Sequence, residues 1–275
     1  ALLRAAAATA PPSVHFEPGS KVEYSSTNYI MAGLVLLAHS PSAQGRWDQL
    51  DVHPLVFPPS LRGKYAAVRF INDEPICSSG ATIAGQSGMG CRGRPRRWFS
   101  RQLSTECETG HLRRGLTEIW KQRGGILGWT CGNMVATPRE VASFFRDLLV
   151  EKTVIGGDSL RAMEAFKTLN YGWAQGTIRY GAGLMIESVR LSLQPPALDE
   201  LGTYEGHGGD TYGFLSEQGI VPHLGNASFS VVANQDYDGL FVRHTMACRL
   251  IVAASRVLLN KTLSLDCGTM ELFAA

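Results

Sequence analysis

The chain has 275 residues, of which 44% are hydrophobic and 18% charged, and its formal net charge is +2. This length and apolar content suffice for a large folded domain with a buried core, and they exclude a disordered chain, a collagen and a coiled coil. The longest uninterrupted apolar run, residues 30–38, is about half as long as the roughly 20 residues that cross a bilayer. The sequence therefore predicts no membrane span.

The first clear element is a helix that follows Tyr24. Apolar residues recur there at the spacing of one helix face: Ile30, Leu34, Leu37 and Ala38. Hydroxyl side chains at positions 25–27 stand where they can cap the free N–H groups of its first turn. Prolines and glycines break any period between residues 39 and 130, so an irregular excursion is expected there.

A second helix is predicted to begin at Thr137. Pro138 fits the first helical position, and Glu140 follows Thr137 at the distance of a capping box. The predicted buried stripe of this helix consists of Val141, Phe144, Phe145 and Leu148. A third, short helix is expected over residues 158–166.

After residue 171 the pattern changes to short apolar runs between glycines, which predicts three or four antiparallel strands. The last element is an amphipathic helix over residues 240–259. Strands followed by a closing helix indicate a sheet that is covered by helices. We therefore predict an α+β fold.

The positive charge is concentrated in one stretch. Residues 91–124 hold eight arginines and one lysine against three glutamates, which gives nine minus three, or +6. A basic run can contact nucleic acid, but only two aromatic residues lie beside it and no recognition helix follows. We interpret residues 78–124 as an irregular Arg-rich insertion and predict no nucleic-acid partner.

The six cysteines include no C-x-x-C pair, so they favour neither a redox motif nor a zinc ribbon. Free buried thiols and one or two ordinary disulfides both stay open. Two acceptor sequons begin at Asn226 and Asn260, which favours a secreted protein. No metal site and no organic cofactor are predicted.

Two residues stand out as candidates for chemistry. His207 lies in a strand with three glycines among its neighbours, residues 206, 208 and 209, where a backbone can be approached closely and can aim N–H groups at an oxyanion. Tyr24 lies where a loop enters a helix, and a phenol with an ordinary pKa near 10 is a poor base. The other histidines, His244 among them, lack a spaced partner, and ordinary surface or half-buried positions are expected for them.

These segments occur in a recognisable order. PGSKVEYSSTNYIMAGLVL is followed by GNMVATPREVASFFRDLL, YGAGLMI, GHGGDTYGF and FSVVANQ. The series resembles the serine β-lactamase-like superfamily, in the branch of class C β-lactamases, D-alanyl-D-alanine carboxypeptidases and related esterases. The resemblance covers residues 10–38 and 128–258. It implies an antiparallel sheet flanked by helices, with a partial helical subdomain and the site between them.

The resemblance also implies roles for site residues. The family's His-x-Gly motif on the edge strand maps to His207, Gly208 and Gly209, with the Asp210 N–H as the oxyanion donor. The Tyr-x-Asn motif maps to Tyr24 and to Ser26, which stands where the family has Asn. Tyr24 would transfer the proton, His207 would bind a substrate carboxylate or tune Tyr24, and Ser26 would take over part of the substrate contact.

The family's first motif, Ser-x-x-Lys, occurs nowhere in this chain. We therefore expect a single partial domain over residues 1–275, the C-terminal portion of a larger serine hydrolase that acts on a β-lactam, a D-amino-acid peptide or an ester. The chain by itself is expected to be inactive. The alternative is a non-catalytic family member that binds or assembles. The expected partner is a small-molecule or peptide substrate, and the oligomeric state stays open.

Overall fold

The computed structural model of this chain describes residues 15–70, 129–132, 134–173, 176–190, 195–211, 214–233 and 239–267, together with the backbone of residues 99–100 and 117–118. The predicted insertion at residues 78–124 lies outside the described residues, apart from that backbone. No helix in the described part of the chain is long and apolar enough to cross a membrane.

The N-terminal part consists of helices and turns. Helix α1 (Ser26–Ala38) begins after Ser25, whose hydroxyl accepts the Thr27 N–H at 3.3 Å and caps the first turn. Two short helices follow, α2 (His53–Val56) and α3 (Pro59–Arg62).

Four short strands come next along the chain and form two separate pairs. They are β1 (Arg69–Phe70), β2 (Phe99–Ser100), β3 (Thr117–Glu118) and β4 (Met134–Val135). Strand β1 pairs with β4, and β2 pairs with β3, both antiparallel. The β1–β4 pair ties the helical part to the segment that leads into the next helix.

Helix α1 rests on the turn Trp129–Cys131. Leu37 is buried and Ile30 partly buried against Trp129, as their spacing predicts, but Leu34 is 39% exposed. The reason is Gly33, where an added Cβ would lie 2.2 Å from the Thr130 hydroxyl. The helix thus approaches the turn through its glycine, and the inward face is rotated away from Leu34.

Helix α4 (Pro138–Phe145) has the predicted capping box. The Glu140 N–H donates to the Thr137 hydroxyl at 3.2 Å, and the Thr137 N–H donates to the Glu140 carboxylate at 2.8 Å. One π-helical turn, Arg146–Val150, continues it. The next helix, α5 (Gly157–Met163), ends three residues earlier than predicted, and a strand begins at Lys167.

A six-stranded antiparallel sheet follows. Its strands are β5 (Lys167–Thr168), β6 (Arg179–Tyr180), β7 (Met185–Ser188), β8 (Thr203–Thr211), β9 (Phe214–Val221) and β10 (Ala227–Ala233). Each strand pairs with its neighbours along the chain, so the spatial order is β10, β9, β8, β7, β6, β5. The sheet is closed by helix α6 (Gly239–Leu259).

Helices pack on both faces of this sheet. On one face, α6 buries the cluster Val189, Tyr204, Val221, Leu224, Phe229, Ala247, Cys248 and Ile251. On the other face, α4, the π-helical turn and α5 bury Phe145, Leu148, Leu160, Leu184 and Ile220. Apolar burial on both faces stabilises the sheet, and the predicted α+β class with an antiparallel sheet flanked by helices is confirmed.

One disulfide lies in the described part of the chain. Cys248 of α6 bonds to Cys267, 19 positions later in the sequence, with 5.4 Å between their Cα atoms. The bridge holds the segment after α6 against that helix. Cys131 is not in a disulfide. The three cysteines of the described residues therefore form one disulfide and leave one thiol.

Candidate active site

Tyr24 is held at the entrance to α1 by the segment that precedes strand β6. Its backbone N–H donates to the Tyr171 carbonyl at 3.0 Å, next to an isolated parallel bridge between Glu23 and Tyr171. Gly172 makes this approach possible: its φ is +94°, and an added Cβ would lie 2.5 Å from the Tyr24 carbonyl oxygen. The motif of residues 24–26 is thereby fixed against the segment that precedes β6.

The structure brings Tyr24 and His207 together. Their ring centroids lie 6.2 Å apart, although 183 positions separate them in sequence. Three more aromatic rings surround Tyr24, with centroids 5.6 to 5.8 Å away: Tyr29, Trp173 and Tyr180. The two residues that the sequence selected therefore share one aromatic site.

The Tyr24 phenol keeps its proton at neutral pH. Burial raises the pKa of this phenol, and a hydrogen bond with the Ser26 hydroxyl lowers it only in part. Ser26 also bonds to the thiol of Cys131, and burial raises the pKa of that thiol. A hydroxyl from the predicted motif thus links a phenol and a thiol, and Tyr24 is poised to donate a proton rather than to accept one.

His207 has a partner for each ring nitrogen. Its Nδ1 bonds to the Gly208 carbonyl, and its Nε2 lies 3.1 Å from the Tyr180 hydroxyl. Burial lowers the pKa of His207, so the ring is neutral at pH 7. This arrangement favours a role in ordering the neighbouring groups over a role in holding a substrate carboxylate.

The segment 207–211 of β8 is the predicted oxyanion arm. It pairs with β9 on one side, where Gly209 faces Ser216 and Asp210 faces Leu215. On the other side, β7 pairs with β8 only as far as Gly206. Among the described residues, no strand pairs with that second edge of the arm.

The glycines of the arm were predicted to allow a close approach to the backbone, and side chains of this same chain make that approach. An added Cβ at Gly208 would lie 1.5 Å from an Arg243 nitrogen, and at Gly209 it would lie 2.2 Å from the Ser216 hydroxyl. Arg243 also lies over the Trp173 ring, 4.5 Å from its centroid. The back of the arm is therefore filled by a cation that supports one wall of the site.

Behind the arm lies a buried network of charged groups. Glu187 accepts hydrogen bonds from Tyr204 and, at 2.9 Å, from His244, and its carboxylate lies 3.8 Å from Arg243. The same Tyr204 hydroxyl lies within hydrogen-bond distance of Glu217. All five side chains are buried, Arg243 with 1% of its surface exposed.

Three of these groups have ligand atoms close enough to share a metal ion. Glu187, Glu217 and His244 place one such atom each within 4.8 Å of the others. However, the Arg243 guanidinium lies beside the Glu187 oxygen that bonds to His244, and its charge compensates the carboxylates. A divalent cation there would meet a positive neighbour. The arrangement is that of a buried ion network.

Glu205, two residues before His207, carries a strongly shifted carboxyl group. Burial, with the nearby Glu164 charge, raises the pKa of Glu205 to about 7. An acid whose pKa is raised holds its proton more tightly in the folded state than in the unfolded state. The contribution of Glu205 to the free energy of unfolding therefore falls as the pH rises from 4.5 to about 7, and it stays constant above pH 7. We expect Glu205→Gln to be more stable than the parent by about 2 to 3 kcal/mol at pH 8 and equal to it at pH 4.5.

Urea unfolding of both proteins at the two pH values measures this difference. Glu17→Gln, at an exposed position, is the matched control and should show the same stability as the parent at both. Equal stability of Glu205→Gln and the parent at pH 8 would contradict the assignment.

Four residues of this site were missed by the sequence analysis. They are Cys131, Trp173, Tyr180 and Arg243. Only a weak signal was available, because aromatic residues beside glycines recur between residues 171 and 181, and nothing local indicates that they face residue 207.

Comparison with known proteins shows the fold. No family model and no curated protein matches the chain. A D-stereospecific amidohydrolase from Streptomyces sp. has a similar structure, with a TM-score of 0.51 and 19% identity over 80% of this chain and 52% of its own. A D-amino acid amidase from Ochrobactrum anthropi SV3, in complex with D-phenylalanine, gives a TM-score of 0.57 and 17% identity over 89% of this chain and 61% of its own.

The chain thus spans about half to three fifths of the length of these solved structures. Both are members of the penicillin-binding protein and β-lactamase superfamily. The antiparallel sheet flanked by helices agrees with the fold of these structures. The chain therefore has the β-lactamase/transpeptidase-like fold.

Proposed function

We propose that this chain carries the proton-transfer and oxyanion half of a serine hydrolase site that cleaves an amide or peptide of a D-amino acid. The observation that carries the proposal is the meeting of Tyr24 and His207, 6.2 Å apart between ring centroids, beside the arm that leads to Asp210. Two motifs far apart in sequence come together beside the part of β8 that extends beyond its pairing with β7.

The chemistry follows from the state of each group. A hydroxyl nucleophile attacks the carbonyl carbon while its proton passes to a base that, like the nucleophile, lies outside this sequence and returns the proton when the acyl group leaves. The oxyanion that forms is stabilised by the Asp210 N–H of β8. Tyr24, whose pKa is raised by burial, then donates its proton to the leaving amine and recovers one when water attacks the acyl group. His207 stays neutral and orders the arm, and Ser26 bonds to Tyr24.

We propose that the nucleophile comes from outside this sequence, since no Ser-x-x-Lys occurs in it. Removing the nucleophile of a serine hydrolase leaves about 10³ to 10⁴-fold acceleration over water. We therefore propose that the 275 residues alone give no burst and almost no turnover. The reaction as proposed uses no metal and no organic cofactor.

The substrate class is suggested by two features. The structural neighbours are named for D-amino acid amides and for D-stereospecific amide hydrolysis. The rings of Tyr24, Trp173 and Tyr180 form an apolar wall, which suits an aromatic substrate side chain. β-Lactams and esters remain the competing substrates in the test.

The sequons at Asn226 and Asn260 lie at exposed turns, in keeping with the proposal of a secreted protein.

The test compares two proteins. D-Phenylalanine amide, L-phenylalanine amide, a chromogenic cephalosporin and a chromogenic ester are offered to this chain and to the product of the complete gene. We expect no turnover by the chain, and hydrolysis of the D-amide by the complete product. In that product Tyr24→Phe should lower kcat by about 10² to 10⁴-fold, the usual contribution of a general acid.

Tyr65→Phe is the matched control, since it removes a buried phenol whose partner is Asp147, in the π-helical turn. Its turnover per folded molecule should equal that of the parent. A burst of product from the 275-residue chain would refute the claim that the nucleophile lies elsewhere. If the product of the complete gene lacks Ser-x-x-Lys and binds the D-amide without cleaving it, the result would support a binding module and contradict the proposed hydrolase.

A further inference from the structure

A continuous chain of hydrogen bonds crosses the site from helix α1 to strand β8. The Tyr29 hydroxyl bonds to the Tyr180 hydroxyl, which lies 3.1 Å from His207 Nε2, and His207 Nδ1 bonds to the Gly208 carbonyl. Three elements, α1, β6 and β8, are thus joined by side chains. We call the three side chains of Tyr29, Tyr180 and His207 the phenol–imidazole chain.

The direction of each bond can be deduced. A carbonyl oxygen only accepts, so Nδ1 of His207 carries the proton and donates to Gly208. The ring is neutral because burial lowers its pKa, which leaves Nε2 as an acceptor. Tyr180 therefore donates to Nε2, and its oxygen accepts a hydrogen bond from the Tyr29 hydroxyl. The Gly208 carbonyl and the phenol on β6 therefore favour the same tautomer of His207.

This direction matters because the arm is rich in glycine. Gly206, Gly208 and Gly209 give the segment more conformational freedom than other residues would. The imidazole anchors the Gly208 carbonyl, and a carbonyl shares one rigid plane with the N–H of the next residue. Fixing that carbonyl also fixes the orientation of the Gly209 N–H and limits the peptide that carries the Asp210 N–H.

We propose that Tyr180 is a positioning residue: acting through His207, it fixes the peptide plane between Gly208 and Gly209 and so orders the oxyanion arm. The purpose of the arm rests on the proposed hydrolase function. The positioning chain itself does not, because its state can be measured in the resting protein without any substrate.

The experiment is NMR of the 275-residue chain with ¹⁵N-labelled histidine and glycine. In the parent we expect His207 as the Nδ1–H tautomer. In Tyr180→Phe the ratio of Nδ1–H to Nε2–H tautomer should fall about tenfold, which corresponds to one net hydrogen bond. The Gly209 amide resonance should shift at the same time, because its peptide plane is released.

Two variants separate this role from a loss of stability. Tyr65→Phe removes a buried phenol that bonds to Asp147 and should leave the His207 tautomer unchanged. Tyr29→Phe keeps Tyr180 as donor to Nε2 and should leave the tautomer unchanged as well. An Nε2–H tautomer in the parent, or a Tyr180→Phe protein with the parent's tautomer ratio and Gly209 resonance, would overturn the proposal. Neither result depends on whether the protein hydrolyses anything.

Discussion

Glu187→Gln should lower the free energy of unfolding by about 3 to 5 kcal/mol, which is the usual effect of removing one charged partner from a buried ion pair. Burial opposes ionisation of this carboxyl group, but the hydrogen bond from His244 and the charge of Arg243 outweigh it and lower the pKa of Glu187. The variant keeps the shape and removes the charge. Arg243, with 1% of its surface exposed, then loses its nearest carboxylate.

Urea unfolding at pH 7 measures this loss, and Glu151→Gln is the matched control. Glu151 pairs with Arg146 at 2.7 Å, but both side chains are about half exposed, so that variant should lose less than 1 kcal/mol. If the two variants lost similar amounts, the network behind the arm would not be a stabilising unit.

The network has a consequence for the site as well. Arg243 contacts both Gly208 and Trp173, so the charge that Glu187 compensates also supports the aromatic wall beside His207. A substrate that contacts Trp173 would therefore depend on a carboxylate that it never touches. Stability and site geometry are linked here through one guanidinium group.

Local signals made part of this fold predictable. The capping box of Thr137 and Glu140 lies within four residues, and it marks the start of α4 correctly. The closing helix begins at Gly239, one residue before the predicted start, and ends at the predicted residue 259. In both cases the pattern that specifies the helix is contained in the helix itself.

The buried network could not be predicted in this way. Glu187, Glu217 and His244 lie on β7, β9 and α6, and each is a single ionisable residue within its own segment. An ordinary surface or half-buried position was expected for His244, whereas it is 6% exposed and bonded to Glu187. Only the pairing of three distant elements gives these residues their partners.

The candidate site was predictable to the extent that its motifs are short and ordered along the chain. Tyr24 and His207 were selected from the sequence, and the structure brings them together. Tyr180 was missed because its role depends on register: it pairs with Met185, and Met185 pairs with Gly206, next to His207. Two strand registers must be known before that phenol can be placed at the imidazole.

Gly206→Ala should cost about 3 kcal/mol or more, because strands β8 and β9 meet there through a pair of glycines. Gly206 pairs with Gly219, and an added Cβ would lie 1.9 Å from the Gln218 carbonyl oxygen and 2.6 Å from the Gly219 Cα. These atoms belong to the backbone, which cannot rotate away as a side chain can. The two strands must separate, and overpacking of this kind costs 1 to 3 kcal/mol or more.

Gly63→Ala is the control for this glycine. Gly63 follows α3 with helical angles, φ −66° and ψ −40°, and nothing lies within 4 Å of an added Cβ. Alanine there should raise stability by about 0.4 to 1 kcal/mol, since it restricts only the unfolded chain. Thermal unfolding of the two variants should therefore move in opposite directions. Because Gly206 precedes His207, the same separation of strands should displace the imidazole from Tyr180, and a Gly206→Ala protein with the parent's stability would contradict the close approach of β8 and β9.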